Sequence, residues 1–217
     1  MGHLDRVYAN RFSDPDAESK DRIWVEIGRY LQRYVDPNSP ALDIACDRGY
    51  FIRNIVATER WATDMRDVSG ALPQDVKFVQ SDGLALAQVL PAEHFGTVFM
   101  SNYLEHLATG DQVGEQLHVA AQLLRPGGRM VILQPNIRLV GAAYWDFIDH
   151  KVALTERSLT EAAETAGFET EQVVVRFLPY TSKSRLLKSA ALVRAYLHIR
   201  LAWRLLGGQT LYVGRRR

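Results

Sequence analysis

Three aspartates each follow or close a short apolar run, and their spacing indicates a shared ligand. Asp43 lies in A-L-D-I-A, Asp64 closes W-A-T-D, and Asp82 closes F-V-Q-S-D. Carboxylates accept hydrogen bonds from hydroxyl and amino groups, so acids at neighbouring strand tips suit a ligand with a ribose and an amine-bearing base. The loop after Asp43 carries Asp47, which would repel phosphate. The predicted ligand is therefore a nucleoside without phosphate groups.

Two histidines are candidates for proton transfer. His106 lies in S-N-Y-L-E-H-L, and His150 lies in Y-W-D-F-I-D-H directly after Asp149. Imidazole titrates near neutrality, so either side chain could remove a proton from an acceptor hydroxyl. Structural roles are the alternative: His106 could order its loop, and His150 could bind a backbone carbonyl.

Aromatic residues accompany the second histidine. Tyr144, Trp145 and Phe147 precede it, and Tyr180 follows later in the chain. Stacked against a sugar face or a planar ring, such side chains would form an acceptor pocket with Asp149 beside them. The alternative is that Trp145 and Phe147 fill the core.

Apolar strands and helical stretches alternate along the chain, which predicts one α/β domain with a parallel sheet covered on both faces. Ligands of such sheets bind at the carboxyl ends of the strands. The predicted strands are 41–45, 60–63, 76–80, 95–101, 129–134, 172–177 and 209–213. The predicted helices are 16–35, 51–58, 84–90, 111–124, a helix opened by Thr155 and ended by Gly167, and 184–206.

Composition is ordinary for a soluble globular protein, with 47% apolar and 24% charged residues. No stretch approaches the roughly 20 apolar residues of a membrane span, and no apolar signal-peptide core follows Met1. The single cysteine, Cys46, rules out an internal disulfide framework. A cytoplasmic location is therefore expected.

Charge is segregated along the chain. Residues 172–217 contain ten Lys/Arg and no Asp/Glu, which leaves 16 basic and 25 acidic residues in 1–171. This basic segment either meets an anionic partner or packs on the protein's own acidic body. We expect its helix to cover the active site, with Arg194, Arg200 and Arg204 contacting an anionic acceptor. Contact with an anionic membrane is an alternative, whereas nucleic acid is not expected because no stacking aromatics are interleaved.

Linked motifs across residues 38–175 resemble the class I S-adenosylmethionine-dependent methyltransferases. They are D-I-A-C-D-R-G-Y-F, A-T-D, Q-S-D-G, M-S-N-Y-L-E-H-L and L-L-R-P-G-G-R-M-V-I-L. The segments I-W, Q-P-N-I-R, Y-W-D-F-I-D-H and R-F-L-P-Y look similar to a small bacterial group linked to polysaccharide and other glycan biosynthesis. The resemblance implies a Rossmann-like, seven-stranded, mostly parallel sheet with helices on both faces and a helical insertion before the last strand.

The resemblance also assigns cofactor contacts. Asp43, Ala45 and Gly49 correspond to the loop beneath the methionine moiety, Asp64 to the acid that binds both ribose hydroxyls, and Asp82 with Gly83 to the adenine site. Ser101 and Asn102 correspond to positions near the transferred methyl. The chain is expected to be one domain: a helical cap (1–37), a cofactor-binding core (38–175), a basic helical insertion (176–208), and a last strand with a basic tail (209–217).

The glycine loop departs from the family pattern D-x-G-x-G-x-G. Here it reads D-I-A-C-D-R-G, so we expect a backbone that does not demand positive φ at Asp47 and Arg48. Asp47 could then hold the ammonium group of the cofactor's methionine end, with Arg48 pairing its carboxylate. A loop that no longer binds cofactor is the alternative.

No metal site is predicted, although one alternative exists. The ubiquinone-biosynthesis O-methyltransferases look similar around E-x-x-E-H, but the first Glu position is Asn102 here. Glu105 and His106 would need Asp149 and His150 to complete a site. The expected function is methyl transfer from S-adenosylmethionine to a hydroxyl of a saccharide, nucleotide-sugar or glycan. The alternatives are a non-catalytic cofactor-binding scaffold or regulatory partner, and an N-methyltransferase.

Overall fold

The structure, a computed structural model, describes residues 17–180 and 189–217. Its helices are α1 (Ala17–Leu31), α2 (Leu86–Val89), α3 (Gly110–Leu123), α4 (Ile137–Val140), α5 (Glu156–Thr165), α6 (Ala190–His198) and α7 (Arg200–Leu206). Its strands are β1 (Ala41–Ile44), β2 (Arg60–Asp64), β3 (Val76–Gln80), β4 (Phe95–Ser101), β5 (Leu124–Pro135), β6 (Phe168–Val174) and β7 (Gln209–Arg216). Residues 1–16 of the predicted helical cap and residues 184–188 of the predicted helix 184–206 lie outside the residues that the structure describes.

All seven strands form one sheet in the order β3-β2-β1-β4-β5-β7-β6. β7 runs antiparallel to β5 and β6, and the other pairings are parallel. The predicted Rossmann-like, mostly parallel sheet is therefore confirmed. Strand order reverses between β1 and β4, so the carboxyl ends of these strands border a natural ligand crevice.

Alternating strand residues face two separate apolar layers, as the two-residue period of a strand requires. One layer joins α1, α6 and α7 to the sheet, and the other joins α3 and α5 to it. In β4, for example, Phe99 packs in the first layer while Val98 and Met100 pack in the second. Helices thus cover both faces.

Local signals fix the limits of α5. Thr155 and Ser158 form a reciprocal capping box, in which the Thr155 side chain accepts the Ser158 amide. Gly167, just beyond the helix, has φ of +97°, a conformation that glycine adopts without a steric penalty. Both predicted ends of this helix are confirmed.

Two predicted helices are wrong in extent. Residues 51–58 contain only a 3₁₀ turn, Ile52–Asn54. The Arg53 side chain donates to the carbonyls of Arg48, before the turn, and of Ala71, after β2, so tertiary contacts hold this segment in place of a helix. The predicted helix 184–206 is broken at Ile199 into α6 and α7. The Trp203 indole donates to the Tyr196 carbonyl at 2.8 Å, which stabilises the break. Among the described residues, no helix is both long and apolar enough to cross a membrane.

Candidate active site

The loop after β1 contains three residues with left-handed backbone conformations. Ala45 has φ of 55°, Asp47 of 50° and Gly49 of 68°. The expectation that Asp47 avoids positive φ is wrong, whereas Arg48 does avoid it. Aspartate tolerates this region better than most residues, and here its amide is held by the Asp64 carboxylate at 3.1 Å. The chain therefore keeps the glycine-loop geometry without two of the glycines.

Gly49 is required for space as well as for conformation. A Cβ atom there would lie 2.3 Å from Leu72 Cδ2 and 3.2 Å from Ile52 Cγ2. Because glycine has no Cβ atom, the loop can pack closely against the 3₁₀ turn that follows it.

Two buried groups lie beneath this loop. Burial raises the pKa of Asp43 well above its ordinary value, and the charges of Asp64 and Asp47 add to the shift. Burial likewise raises the pKa of the Cys46 thiol. Asp43 accepts a hydrogen bond from the Ile52 backbone, so it ties β1 to the turn beyond the loop.

Asp64, at the carboxyl end of β2, is buried and fully engaged. Arg66 Nε lies 3.0 Å from Asp64 Oδ1, and a terminal nitrogen lies 3.1 Å from Oδ2. The same guanidinium lies 3.0 Å from Asp47 Oδ1. Asp47 therefore contacts Arg66 here, and Arg66 is a residue that the sequence pattern did not single out.

The predicted adenine side of the crevice is built from four residues on three segments. Asp82 accepts the Leu84 amide at 3.0 Å and begins a 3₁₀ turn. A Cβ atom on Gly83 would lie 2.1 Å from the Tyr103 hydroxyl and 2.5 Å from Gln116 Oε1. Burial, followed by the charges of Asp82 and Asp64, raises the pKa of Tyr103. Tyr103 and Gln116 are site residues that the motifs alone did not reveal.

Ser101 and Asn102 lie at the carboxyl end of β4, as predicted. Asn102 has φ of 49°, and its side-chain amide donates to Ser101 Oγ at 3.0 Å. Its backbone amide donates to the Leu133 carbonyl at 2.9 Å, which anchors the turn to β5. Left-handed non-glycine residues thus follow both β1 and β4, the two strands that flank the crevice.

The structure brings the two candidate histidines together. Their ring centroids are 5.0 Å apart, with His106 in a 3₁₀ turn after β4 and His150 in the loop before α5. His106 Nδ1 lies 3.1 Å from the Asp149 carbonyl and 3.4 Å from Asp149 Oδ2. Backbone amides of Lys151 and Val152 donate to the Glu105 carbonyl and hold the two segments together.

Glu105 is the buried acid of this cluster. Its Oε2 accepts from Gln134 at 3.1 Å, and its Oε1 lies 4.0 Å from His106 Nε2. Burial raises the pKa of Glu105, and the charge of His106 opposes that shift. Ligand atoms of Glu105, His106 and His150 all lie within 4.8 Å of one another. A divalent cation is therefore a geometric alternative to acid–base chemistry at this cluster.

The aromatic residues divide into core and surface positions. Tyr144 is fully buried, and its hydroxyl donates to the Val152 carbonyl at 2.5 Å, so it supports the loop as a core residue. Trp145 is 53% exposed, which contradicts the core alternative for this residue. Phe147 contacts the rings of His150 and Tyr180, with centroid distances of 5.1 and 6.1 Å. An aromatic wall thus extends from the histidine pair.

The basic segment is partly neutralised by the protein itself. Arg194 forms a two-point ion pair with buried Glu26 of α1, at 2.9 and 2.7 Å. Arg215 pairs with Glu171, and Arg216 with Glu93. Arg194 is therefore engaged in packing α6 on α1, which corrects the expectation that it contacts an acceptor.

Comparison with known proteins agrees with this architecture. The methyltransferase domain family matches residues 17–173. A search of curated proteins finds no significant match. Solved structures with similar folds include a SAM-dependent methyltransferase from Archaeoglobus fulgidus, with a TM-score of 0.68 and 19% identity, covering 99% of this chain and 100% of that one.

Two further structures show the range of the fold. A methyltransferase from Mesorhizobium loti, described as S-adenosylmethionine dependent, has a TM-score of 0.63 and 17% identity, covering 88% of this chain and 96% of that one. The [4+2]-cyclase SpnF has a TM-score of 0.61 and 16% identity, covering 88% and 80% respectively. At these identities the likeness concerns the fold alone. Since the family match spans most of the sequence, the chain belongs to the methyltransferase domain family.

Proposed function

We propose that this protein transfers a methyl group from S-adenosylmethionine to a hydroxyl group of a saccharide, nucleotide-sugar or glycan, with His106 as the general base. The observation that supports the base most strongly is the 3.1 Å contact between His106 Nδ1 and the Asp149 carbonyl. His106 follows β4, the neighbour of β1 in the sheet, so it lies at the same carboxyl edge as Asp64 and Asp82.

The chemistry of the crevice fits this cofactor. Asp82, and Asp64 once the Arg66 side chain has moved, would offer acceptors to an adenine amino group and to ribose hydroxyls. Asp47, whose carboxylate is held by Arg66 in this structure, would suit the positive charges of the sulfonium and ammonium groups once that contact is exchanged. When bound, S-adenosylmethionine supplies an electrophilic methyl group, and the loop residues would hold it near β4.

The His106 contact selects one tautomer. A carbonyl oxygen only accepts hydrogen bonds, so the proton of neutral His106 resides on Nδ1. Nε2 then has a lone pair available for an acceptor hydroxyl proton. The carboxylates of Asp149 and Glu105, 3.4 and 4.0 Å from the ring nitrogens, would stabilise the imidazolium that forms.

The aromatic wall supports a polar, ring-shaped acceptor. Phe147 contacts the rings of His150 and Tyr180, and the exposed Trp145 packs on Tyr144, which itself contacts His150. Sugars stack their apolar C–H faces on such rings while their hydroxyls reach polar groups, here His106 and His150. This arrangement supports a hydroxyl acceptor more directly than a purely apolar one.

The test combines turnover with cofactor binding. Purified protein is incubated with S-adenosylmethionine and a panel of nucleotide-sugars, glycans and amines, and S-adenosylhomocysteine release is measured. His106→Gln is expected to lower kcat about 100-fold without changing S-adenosylhomocysteine affinity. His118→Gln, an exposed histidine on α3, serves as the matched control and should retain full activity.

Four outcomes would contradict the proposal in different ways. Full turnover by His106→Gln would remove the base assignment. Turnover that is lost in EDTA and restored by Mg²⁺ or Mn²⁺ would assign the cluster to metal binding. Cofactor binding without turnover on any acceptor would identify a scaffold, and methylated amines alone would identify an N-methyltransferase.

A further inference from the structure

The corner formed by α6 and α7 exposes an unusual amount of apolar surface. Among the described residues, eleven large hydrophobic side chains are exposed, and five of them lie between residues 192 and 206. They are Leu192, Ile199, Leu201, Leu205 and Leu206. We call these five, together with Arg200 and Arg204, the apolar–basic corner. Single exposed apolar residues are common, but a concentration of this kind marks an interaction surface.

The leucines of α7 are held outward by the packing of Trp203. Its indole is buried against Tyr30 and Phe177, with centroid distances of 5.8 and 5.3 Å. At about 100° per residue, Leu201 and Leu205 each lie about 160° around the helix from Trp203. Leu201 is 65% and Leu205 75% exposed. The helix cannot roll to bury this ridge without extracting the tryptophan.

Both charged residues of α7 are arginines. Arg200 and Arg204 are four residues apart on α7, and neither forms an ion pair with any residue that the structure describes. No Asp or Glu occurs anywhere in 172–217. Arg194 on α6 differs from these two arginines, because its charge is neutralised by Glu26. Positive charge at the corner is therefore not compensated by the fold.

We propose that the apolar–basic corner docks on the surface of an anionic lipid bilayer. Protruding aliphatic side chains insert into the boundary between headgroups and acyl chains, and flanking arginines bind the lipid phosphates. A second copy of this chain fits less well, because a two-fold contact through the corner would bury Arg200 and Arg204 of both copies with no acidic residue of the corner to pair them. The proposal is independent of the methyl-transfer reaction.

Vesicle sedimentation of the full chain tests the proposal. Binding to vesicles of phosphatidylglycerol and phosphatidylcholine is expected, whereas pure phosphatidylcholine vesicles should bind little, and binding should weaken as salt is raised. Leu201→Ser with Leu205→Ser, and separately Arg200→Gln with Arg204→Gln, should each lower the apparent affinity about tenfold or more.

Matched controls come from exposed residues elsewhere on the molecule. Val56→Ser and Val89→Ser remove exposed aliphatic side chains, and Arg157→Gln removes an arginine that is 82% exposed. These variants should bind anionic vesicles as the parent does. If the leucine variant fails to fold, the arginine variant and the salt dependence of vesicle binding still test the proposal.

Several results would overturn the proposal. Equal vesicle binding by corner and control variants would do so, as would salt-independent binding to neutral vesicles. If the corner variants instead changed the molar mass measured by light scattering, with vesicle binding unaltered, the surface would be a protein interface. Capture of an acidic protein that outcompetes vesicles at the corner would also reassign it.

Discussion

The guanidinium of Arg66 lies on the carboxylate of Asp64, 3.0 Å from Oδ1 and 3.1 Å from Oδ2. Those two oxygens are the acceptors that a ribose diol would use. Arg66 also bridges to Asp47 at 3.0 Å, so one side chain joins the loop after β1 to the end of β2. If Asp64 binds the ribose as proposed, this guanidinium has to move when the cofactor binds.

Replacing Arg66 should strengthen cofactor binding. Hydrogen bonds between charged groups contribute about 1.5–3 kcal/mol, and the Arg66→Ala variant would not have to break them before binding. We expect S-adenosylhomocysteine to bind about tenfold more tightly, measured by calorimetry. Arg125→Ala, which removes an arginine paired with Asp36 at the opposite end of the sheet, is the control. Weaker binding by Arg66→Ala would show that Arg66 contacts the bound cofactor instead.

Restoring glycine in the loop should stabilise the fold. Ala45 has φ of 55°, which costs an alanine about 1 kcal/mol. Ala45→Gly is therefore expected to raise the free energy of unfolding by about 0.5 kcal/mol, after the greater flexibility of the unfolded chain is allowed for. Ala87→Gly in α2 should lower it by a similar amount. Urea denaturation measures the free energy of unfolding of both variants. If Ala45→Gly lowered it as much as Ala87→Gly does, the backbone at Ala45 would not be strained.

A side chain at position 83 should disturb the adenine side of the crevice. Gly83→Ala places a Cβ against the Tyr103 hydroxyl and Gln116 Oε1, so we expect a loss of about 1–3 kcal/mol in stability and weaker S-adenosylhomocysteine binding. Adding Tyr103→Phe removes the hydroxyl that the new Cβ would meet first. It should therefore restore part of the stability and part of the S-adenosylhomocysteine affinity. A double-mutant cycle measures this coupling, and strictly additive effects would refute the close contact.

The ion pair between Glu26 and Arg194 should make stability depend on pH. The hydrogen bond from Arg194 lowers the pKa of Glu26 below its usual 4.5. A lowered folded-state pKa stabilises the protein above the unfolded-state pKa, and the contribution is lost as pH falls through the folded value. Arg194→Met should therefore lower the free energy of unfolding at pH 7, and the loss should become progressively smaller below about pH 4.5.

Denaturation midpoints at several pH values measure this difference. Arg129→Met is a useful comparison, because Arg129 pairs with Glu171, which retains Arg215 as a second partner. A pH-independent effect of Arg194→Met would mean that its role is packing rather than charge.

Much of the fold could be read from the sequence. Most strands contain a short apolar run, and Thr155 and Gly167 carry cap signals that act locally. The strand predicted at 172–177 is instead Phe168–Val174, because its first five residues, F-E-T-E-Q, are mostly polar. The break at Ile199 could not be predicted this way, since it depends on Trp203 reaching the Tyr196 carbonyl across the break. The absent helix after Phe51 likewise depends on tertiary contacts of Arg53.

The positions of candidate site residues could be predicted where a polar residue lies at or just after the end of a strand. Asp64, Asp82 and Asn102 lie at carboxyl ends of strands or directly after them. Arg66 escaped prediction because its role arises from two acids that are distant in sequence. Tyr103 escaped because its hydroxyl meets Gly83 only in the folded sheet. The pairing of His106 with His150 was also outside what spacing along the chain could show.

The burial of Cys46 has a practical consequence. It is the single cysteine of the sequence, and its raised pKa leaves little of the reactive thiolate. A Leu205→Cys substitution would thus create one accessible thiol for attachment of a polarity-sensitive fluorophore. The emission wavelength of this fluorophore would then report, without signal from a labelled Cys46, whether the ridge of Leu201 and Leu205 contacts water or hydrocarbon.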